Sequence, residues 1–212
     1  RVGIRRVYGA TRINIGTPDL ETDSYNTGGI YSSFSYNTLD DFNFPLRGGT
    51  ADVAVLTSLQ ELGSDQKANV LLAQWMTAKT WGRFTVVPGI KYSGVFGGDS
   101  QLQSMNNIGG FFNLSGYMEN ELAGRYTGLA RLICYANLGN KGLGQFQAQL
   151  YLGFSAEAGN AWQERNDITL GSLLYAGSVF IGANTFIGPV YLIYGVAEGG
   201  RHAAGLLIGQ RF

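Results

Sequence analysis

The chain carries little charge for its size. Asp, Glu, Lys and Arg make up 14% of its 212 residues, whereas soluble domains average about 25%. The net charge is zero, so the basic excess typical of a nucleic-acid surface is missing. Cys134 is the single cysteine and His202 the single histidine, which excludes an internal disulfide framework and argues against a zinc site. We therefore expect no metal, no cofactor and no nucleic-acid partner.

The chain is nevertheless not polar enough to be disordered, since 45% of it is hydrophobic. Residues 168–197 contain no charged side chain, and that length alone is typical of a membrane-spanning helix. Asn184, Gly188 and Pro189 interrupt this run. The interruptions favour two strands joined by a tight turn at 187–189 over one helix.

Alternation with a period of two is the dominant pattern along the chain. Between residues 145 and 159 the even positions are all apolar, whereas the odd positions are polar, tyrosine or glycine. Residues 83–96 repeat the alternation, with Val87 among the exceptions. Such alternation indicates strands with one apolar face. Weaker alternation predicts eight more strands, so that the total is about ten; they are 2–16, 29–39, 50–61, 69–80, 125–137, 171–184, 190–198 and 203–212.

The predicted strands are long. Soluble strands average about 5–6 residues, whereas strands that cross a membrane as a barrel need about 9–11. We therefore predict an all-β fold: a transmembrane antiparallel up-and-down β-barrel over residues 1–212, with lipid on the apolar face and water on the polar face. A soluble β-sandwich is the alternative. The glutamines at positions 145, 147 and 149 favour a water-filled lumen over a second sheet.

The predicted connections alternate between the two ends of the strands. The longest one, residues 97–124, lies at the same end as most acidic loop residues. Outer-membrane barrels have long external loops and short periplasmic turns. This end is therefore predicted to be external, and both chain termini to be periplasmic.

Four segments carry a resemblance to a known family. They are the Asp…Pro-x-Arg-Gly turn at 40–49, the Gly-Gly-Phe loop at 108–117, the acidic strand at 154–162, and the terminal strand ending at Phe212. In this order they resemble the bacterial surface antigen superfamily of outer-membrane assembly and secretion barrels. The segments at 175–185, 188–192 and 195–200 are similar to the barrel of patatin-like phospholipase autotransporters.

The resemblance implies a sixteen-stranded barrel of which this chain forms the last ten strands. In that branch the barrel is the translocator and anchor of type V secretion, in the outer membrane of a Gram-negative bacterium. Its partners are outer-membrane lipid, the barrel-assembly machinery, and an upstream passenger and periplasmic domain in the same polypeptide. The alternatives left open are the barrel of an insertase or two-partner-secretion transporter, and a plain porin or adhesin.

The resemblance also implies roles for particular residues. A loop tip folds into the lumen and faces Glu157; its residues are Gly110, Asn113, Leu114, Ser115, Gly116 and Tyr117. Asp40, Pro45, Arg47 and Gly48 form a periplasmic turn motif, and Phe212 is the assembly signal. Ser115 stands where the superfamily usually has an arginine that reaches the facing carboxylate. Arg131 and Arg125 are the candidate replacements as charge partner of Glu157, and the sequence leaves the choice open.

We expect no catalysis within this chain. A patatin-type site requires a Gly-x-Ser-x-Gly nucleophile elbow between a strand and a helix, and the sequence contains no such motif. A lipase passenger would therefore carry its serine nucleophile upstream of Arg1.

Overall fold

The computed structural model describes residues 1–10, 24–65, 67–97, 106–143, 146–185 and 188–209. Within these residues ten strands form one antiparallel sheet, and two short strands form a separate pair. The predictions of an all-β chain and of about ten long strands are confirmed. The sheet strands are β1 (Val2–Ala10), β2 (Ser24–Asn37), β3 (Arg47–Ser58), β4 (Asn69–Trp81), β5 (Phe84–Phe96), β8 (Tyr126–Leu143), β9 (Phe146–Trp162), β10 (Leu174–Thr185), β11 (Gly188–Ala197) and β12 (Arg201–Ile208); the pair is β6 (Asn106–Ile108) and β7 (Leu122–Gly124).

Each sheet strand pairs with the next one along the chain, and the sheet order is β1-β2-β3-β4-β5-β8-β9-β10-β11-β12. The β6–β7 pair lies in the long connection between β5 and β8. The uncharged run 168–197 contains β10 and β11, as its turn residues predicted. Among the described residues, no helix is long and apolar enough to cross a bilayer.

One predicted strand begins later than its alternation suggested. The prediction of a strand from residue 171 is wrong, because residues Leu170–Ser172 form a 3₁₀ turn. The Ser172 hydroxyl bonds to the carbonyl oxygens of Asp167 and Thr169, at 2.8 and 2.9 Å. Side-chain bonds of this kind compete with strand pairing. The ladder of β10 consequently begins at Leu174.

Glycines with positive φ shape two connections at one rim of the sheet. Gly82 and Arg83 form the two-residue turn between β4 and β5, and φ is 60° at Gly82. Tight hairpin turns require this left-handed conformation, which glycine adopts without strain. Gly139 has φ 82° at the point where the pairing of β8 with β9 shifts register. A glycine in this conformation is typical of a β-bulge.

The two faces of the sheet are buried to different extents. Residues 106–124 lie against one face, here called the covered face. On β9 the covered-face residues Tyr151, Ser155 and Glu157 are 2%, 6% and 3% exposed. On the opposite, exposed face, Leu152 and Phe154 are 50% and 52% exposed. The apolar set of the alternating pattern therefore faces outward, and the polar set faces inward.

The exposed apolar face extends over the whole sheet. Each sheet strand contributes at least one large side chain that is about two-fifths exposed or more; examples are Ile4, Phe34, Val53, Trp75, Ile90, Leu132, Phe154, Val179, Leu192 and Leu206. A soluble sheet buries its apolar side against a second layer. The soluble sandwich predicted as the alternative requires a second sheet there, and within the described residues no such layer is present.

The sheet is open. Within the described residues β1 pairs only with β2, and β12 pairs only with β11. The prediction of a closed barrel is therefore not met by these ten strands, because the hydrogen-bonded ladder ends at β1 and at β12.

Candidate functional site

The long connection between β5 and β8 forms an inward segment, residues 106–124, on the covered face. Its base is the β6–β7 pair, in which Asn106 pairs with Gly124 and Ile108 with Leu122. Its tip is tightly wound: φ is 59° at Phe112 and 75° at Leu114, neither of which is glycine. Left-handed non-glycine residues are uncommon and mark a backbone held by its surroundings.

Glu157 of β9 holds the tip of the inward segment. Its Oε2 accepts the backbone N–H groups of Leu114 and Ser115 at 2.7 and 2.6 Å. Its Oε1 accepts the hydroxyls of Ser115, at 2.7 Å, and of Ser155. Four donors therefore satisfy a carboxylate that is 3% exposed. A buried charge is tolerated where hydrogen bonds replace its hydration in this way.

Arg131 is the Cα partner of Glu157 in the β8–β9 ladder. Its guanidinium donates to the Phe112 carbonyl at 3.1 Å and contacts the Met76 sulfur at 3.7 Å. Among the described residues it makes no ion pair with Glu157, although the two charges interact electrostatically. Arg131, one of the two candidate charge partners from the sequence, thus lies beside Glu157 and interacts with it electrostatically. Ser115 and two backbone amides hydrogen-bond the carboxylate, and Arg131 binds the tip through the Phe112 carbonyl.

Aromatic rings and glycines complete the surface against which the tip of the inward segment packs. The Phe112 ring packs edge-on against Phe180 of β10, with centroids 5.2 Å apart. Gly116 and Gly195 allow the segment to approach β11 closely. A Cβ on Gly195 would lie 2.8 Å from both the Gly116 nitrogen and the Ser115 Cβ, closer than such atoms pack. The glycine at position 195 is thus required by the docked segment.

A second contact ties the inward segment to the edge strand β12. Glu121 forms an ion pair with Arg201, whose guanidinium also lies 4.6 Å from the centre of the Tyr117 ring. Glu121 also accepts the Met118 N–H at 2.7 Å. This backbone hydrogen bond lowers the pKa of Glu121, and Arg201 lowers it further. The contact bridges the tip and the last strand that the structure describes.

The turn segment, residues 38–46, folds onto the covered face from the opposite rim. The Phe44 ring is 1% exposed and stacks on Tyr151 with centroids 4.0 Å apart. The Tyr191 hydroxyl donates to the Asn43 carbonyl at 2.8 Å, and the Tyr135 hydroxyl donates to the Pro45 carbonyl. This cluster spans β8 to β11. Phe44 was not predicted from the sequence as a packing residue, although its inward tyrosine partners occupy alternating strand positions.

The predicted turn motif shapes this turn segment. Asp40 accepts the N–H groups of Leu46 and Arg47 at 2.9 and 3.2 Å, and forms a 3.7 Å ion pair with the exposed Arg47. Gly48 has φ 90°, and a Cβ there would lie 2.0 Å from the Thr38 carbonyl oxygen. These residues therefore close a turn.

The remaining predicted residues have simpler placements. Gly110, at φ 103°, precedes the tip, and the Asn113 side chain donates to the Gly109 carbonyl at 3.1 Å. Phe212 lies outside the described residues. The Ser178 hydroxyl lies 2.7 Å from that of Ser155 and extends the Glu157 network. In the part of the chain that the structure describes, no group of three or more His, Cys, Asp or Glu side chains is arranged to bind a metal ion.

Comparison with known proteins adds no family assignment. No protein-family model matches the chain, and no curated protein matches it significantly.

Proposed function

We propose that the chain is a membrane-embedded β-barrel domain of the outer membrane of a Gram-negative bacterium. The exposed face contacts lipid, and the covered face lines the lumen. The observation that carries this proposal is the burial pattern of β9. Its apolar side chains Leu152 and Phe154 are half exposed, whereas its charged Glu157 is buried beneath the inward segment. In water this arrangement exposes apolar side chains at a large cost, whereas in a bilayer the same side chains are solvated.

Strand length and aromatic positions support a membrane location. The sheet strands run from 8 to 18 described residues, and crossing a bilayer takes about 9–11. Exposed aromatic side chains lie near both rims: Tyr36, Trp81 and Phe84 near one, and Tyr8 and Tyr175 near the other. Aromatic girdles at both interfaces are typical of outer-membrane barrels.

The open edges require pairing in hydrocarbon. Each backbone group left unpaired in lipid costs several kcal/mol, so only closed barrels persist there. We therefore propose that further strands join β1 to β12, and that the ten strands are the last part of a sixteen-stranded barrel. The barrel-assembly machinery is the partner that would insert it.

The domain serves as the anchor and translocator of an upstream patatin-like passenger, and it performs no catalysis itself. This finer assignment rests on the resemblance of the turn, loop and strand segments. An insertase or two-partner-secretion barrel is the alternative with the same support. A plain porin is disfavoured because the inward segment occupies the covered face over β8 to β12. A Gly-x-Ser-x-Gly passenger encoded upstream would support the autotransporter, and tandem periplasmic domains would support the alternative.

Two leucine substitutions test the membrane location. Leu192 is 59% exposed on the lipid-facing side of β11, and Leu170 is 84% exposed in a 3₁₀ turn outside the sheet. An arginine on the lipid face near the bilayer centre costs about 2–4 kcal/mol. We expect Leu192→Arg to lower the urea midpoint for folding into phosphatidylcholine vesicles, and Leu170→Arg to leave it unchanged. The proposal would be refuted if both variants had the same urea midpoint and both stayed monodisperse in detergent-free buffer.

A further inference from the structure

The covered face is filled unevenly. The inward segment and the turn segment pack over β8 to β12, whereas two cavities of about 600 and 450 Å³ lie over β2 to β5 and β8. The larger cavity reaches Asn107 and Asn113 of the inward segment. The smaller one reaches Leu39 and Phe42 of the turn segment. The two cavities therefore extend toward opposite rims of the sheet.

The two cavities meet at a row of polar side chains. Both are lined by the same four residues, here called the polar row: Ser35, Asp52, Gln74 and Lys91. Register explains the row, because these residues are direct partners across β2, β3, β4 and β5. All four share the covered face at one height. A path from one cavity to the other must pass them.

The two charged residues of the polar row, Asp52 and Lys91, differ in their hydrogen bonding. Asp52 accepts hydrogen bonds from the Gln74 amide, at 3.1 Å, from the Thr50 hydroxyl, at 3.2 Å, and from the Ser35 hydroxyl. Lys91 makes no hydrogen bond or ion pair with another described residue. Arg131, which also lines the smaller cavity, interacts electrostatically with Lys91. The polar row therefore holds one cation and one anion, and the charge of Arg131 beside it also interacts with Glu157.

We infer that the two cavities are one aqueous passage for small ions, and that Lys91 and Asp52 of the polar row set its ion selectivity in opposite directions. The inference rests on the proposed function, because only a membrane-embedded sheet makes this groove a transmembrane path. A cation at a constriction concentrates anions and depletes cations, and an anion does the reverse. A unit charge about 4 Å from an ion in water changes its local concentration by about fivefold.

Reversal potentials across planar lipid bilayers in a KCl gradient test the passage. We expect the two charged residues of the polar row to shift the ion selectivity of the protein in opposite directions. Lys91→Gln should lower the chloride-to-potassium permeability ratio about fivefold or more, whereas Lys91→Arg should preserve it and Asp52→Asn should raise it. Lys79→Gln is the matched control, because Lys79 lies on the exposed side of β4 above the Trp81 ring.

Several outcomes would overturn the inference. A protein that inserts into the bilayer but conducts no ions lacks the passage, while its membrane location stands. Equal ion selectivity in Lys91→Gln and Lys79→Gln removes the role of the polar row. A protein that fails to insert refutes both the passage and the proposed function.

A second measurement does not require conductance. Gln74→Cys in a Cys134→Ala background places one thiol in the polar row. We expect Lys91→Gln to slow its reaction with an anionic thiosulfonate relative to a cationic one, and Lys79→Gln to leave the ratio of the two rates unchanged. No reaction with either reagent in the folded protein would show that water does not reach the row.

Discussion

The attachment of the inward segment to Glu157 allows a graded test. Glu157→Ala removes all four accepted hydrogen bonds and leaves the buried N–H groups of Leu114 and Ser115 without a partner. An unsatisfied buried donor costs about 1–3 kcal/mol, so two of them weaken docking by about 2–6 kcal/mol. Glu157→Gln keeps the shape, and its amide oxygen can still accept both N–H groups. The two serine hydroxyls can reverse and accept from the amide nitrogen. The loss is then that of charge assistance alone, about 1–2 kcal/mol.

Hydrogen exchange of the Leu114 and Ser115 amides measures this docking directly. Because about 1.4 kcal/mol corresponds to a factor of ten, we expect exchange to accelerate about fivefold or more in Glu157→Gln and about thirtyfold or more in Glu157→Ala. Glu198→Gln, an exposed carboxylate in the turn before β12, is the control and should change neither amide. Unchanged exchange in Glu157→Ala would refute the attachment. Equal acceleration throughout the sheet would refute its local character.

Two further predictions concern the other attachments. Phe44→Ala should lower the free energy of unfolding by about 3–5 kcal/mol, because the ring is fully buried. Phe42→Ala is the control and should have little effect, because its ring is 51% exposed. Chemical unfolding in detergent measures both free energies. The Met118 N–H, and then Arg201, lower the pKa of Glu121 below its usual value of 4.5. Glu121 therefore stabilises the docked segment above that pH and loses this contribution as the pH falls through the lowered pKa. Protease cleavage of the inward segment should increase there in the wild type, and Glu121→Gln should remove that part of the pH dependence.

The short side chain at position 115 determines how the inward segment is held. Here a short side chain lets the backbone itself reach Glu157, so that two amides and two hydroxyls share the negative charge. Such contacts are short and lie in a buried site, where salt screens little. Docking should accordingly depend weakly on ionic strength.

The local sequence pattern was sufficient to predict where most of the strands lie. Alternation at β5 and β9 gave their extent and their faces, because a strand places successive side chains on opposite sides whatever the rest of the chain does. Gly188 similarly marked the end of a hairpin, since a tight turn depends on the backbone freedom of one residue. Where a side chain competed for the backbone, as Ser172 does, the same reasoning placed a strand boundary too early.

Contacts between residues that are distant in the sequence could not be predicted from alternation or turn residues. Glu157 was recognised as a wall residue, but three of its four hydrogen bonds come from a segment more than 40 positions earlier in the chain. The polar row likewise exists only because four strands are in one register. The sequence alone determined which side chains face the same way on each strand, because that follows from local backbone geometry. The tertiary structure decided which of them meet, because register, the inward packing of two connections and the open edges depend on the whole sheet at once.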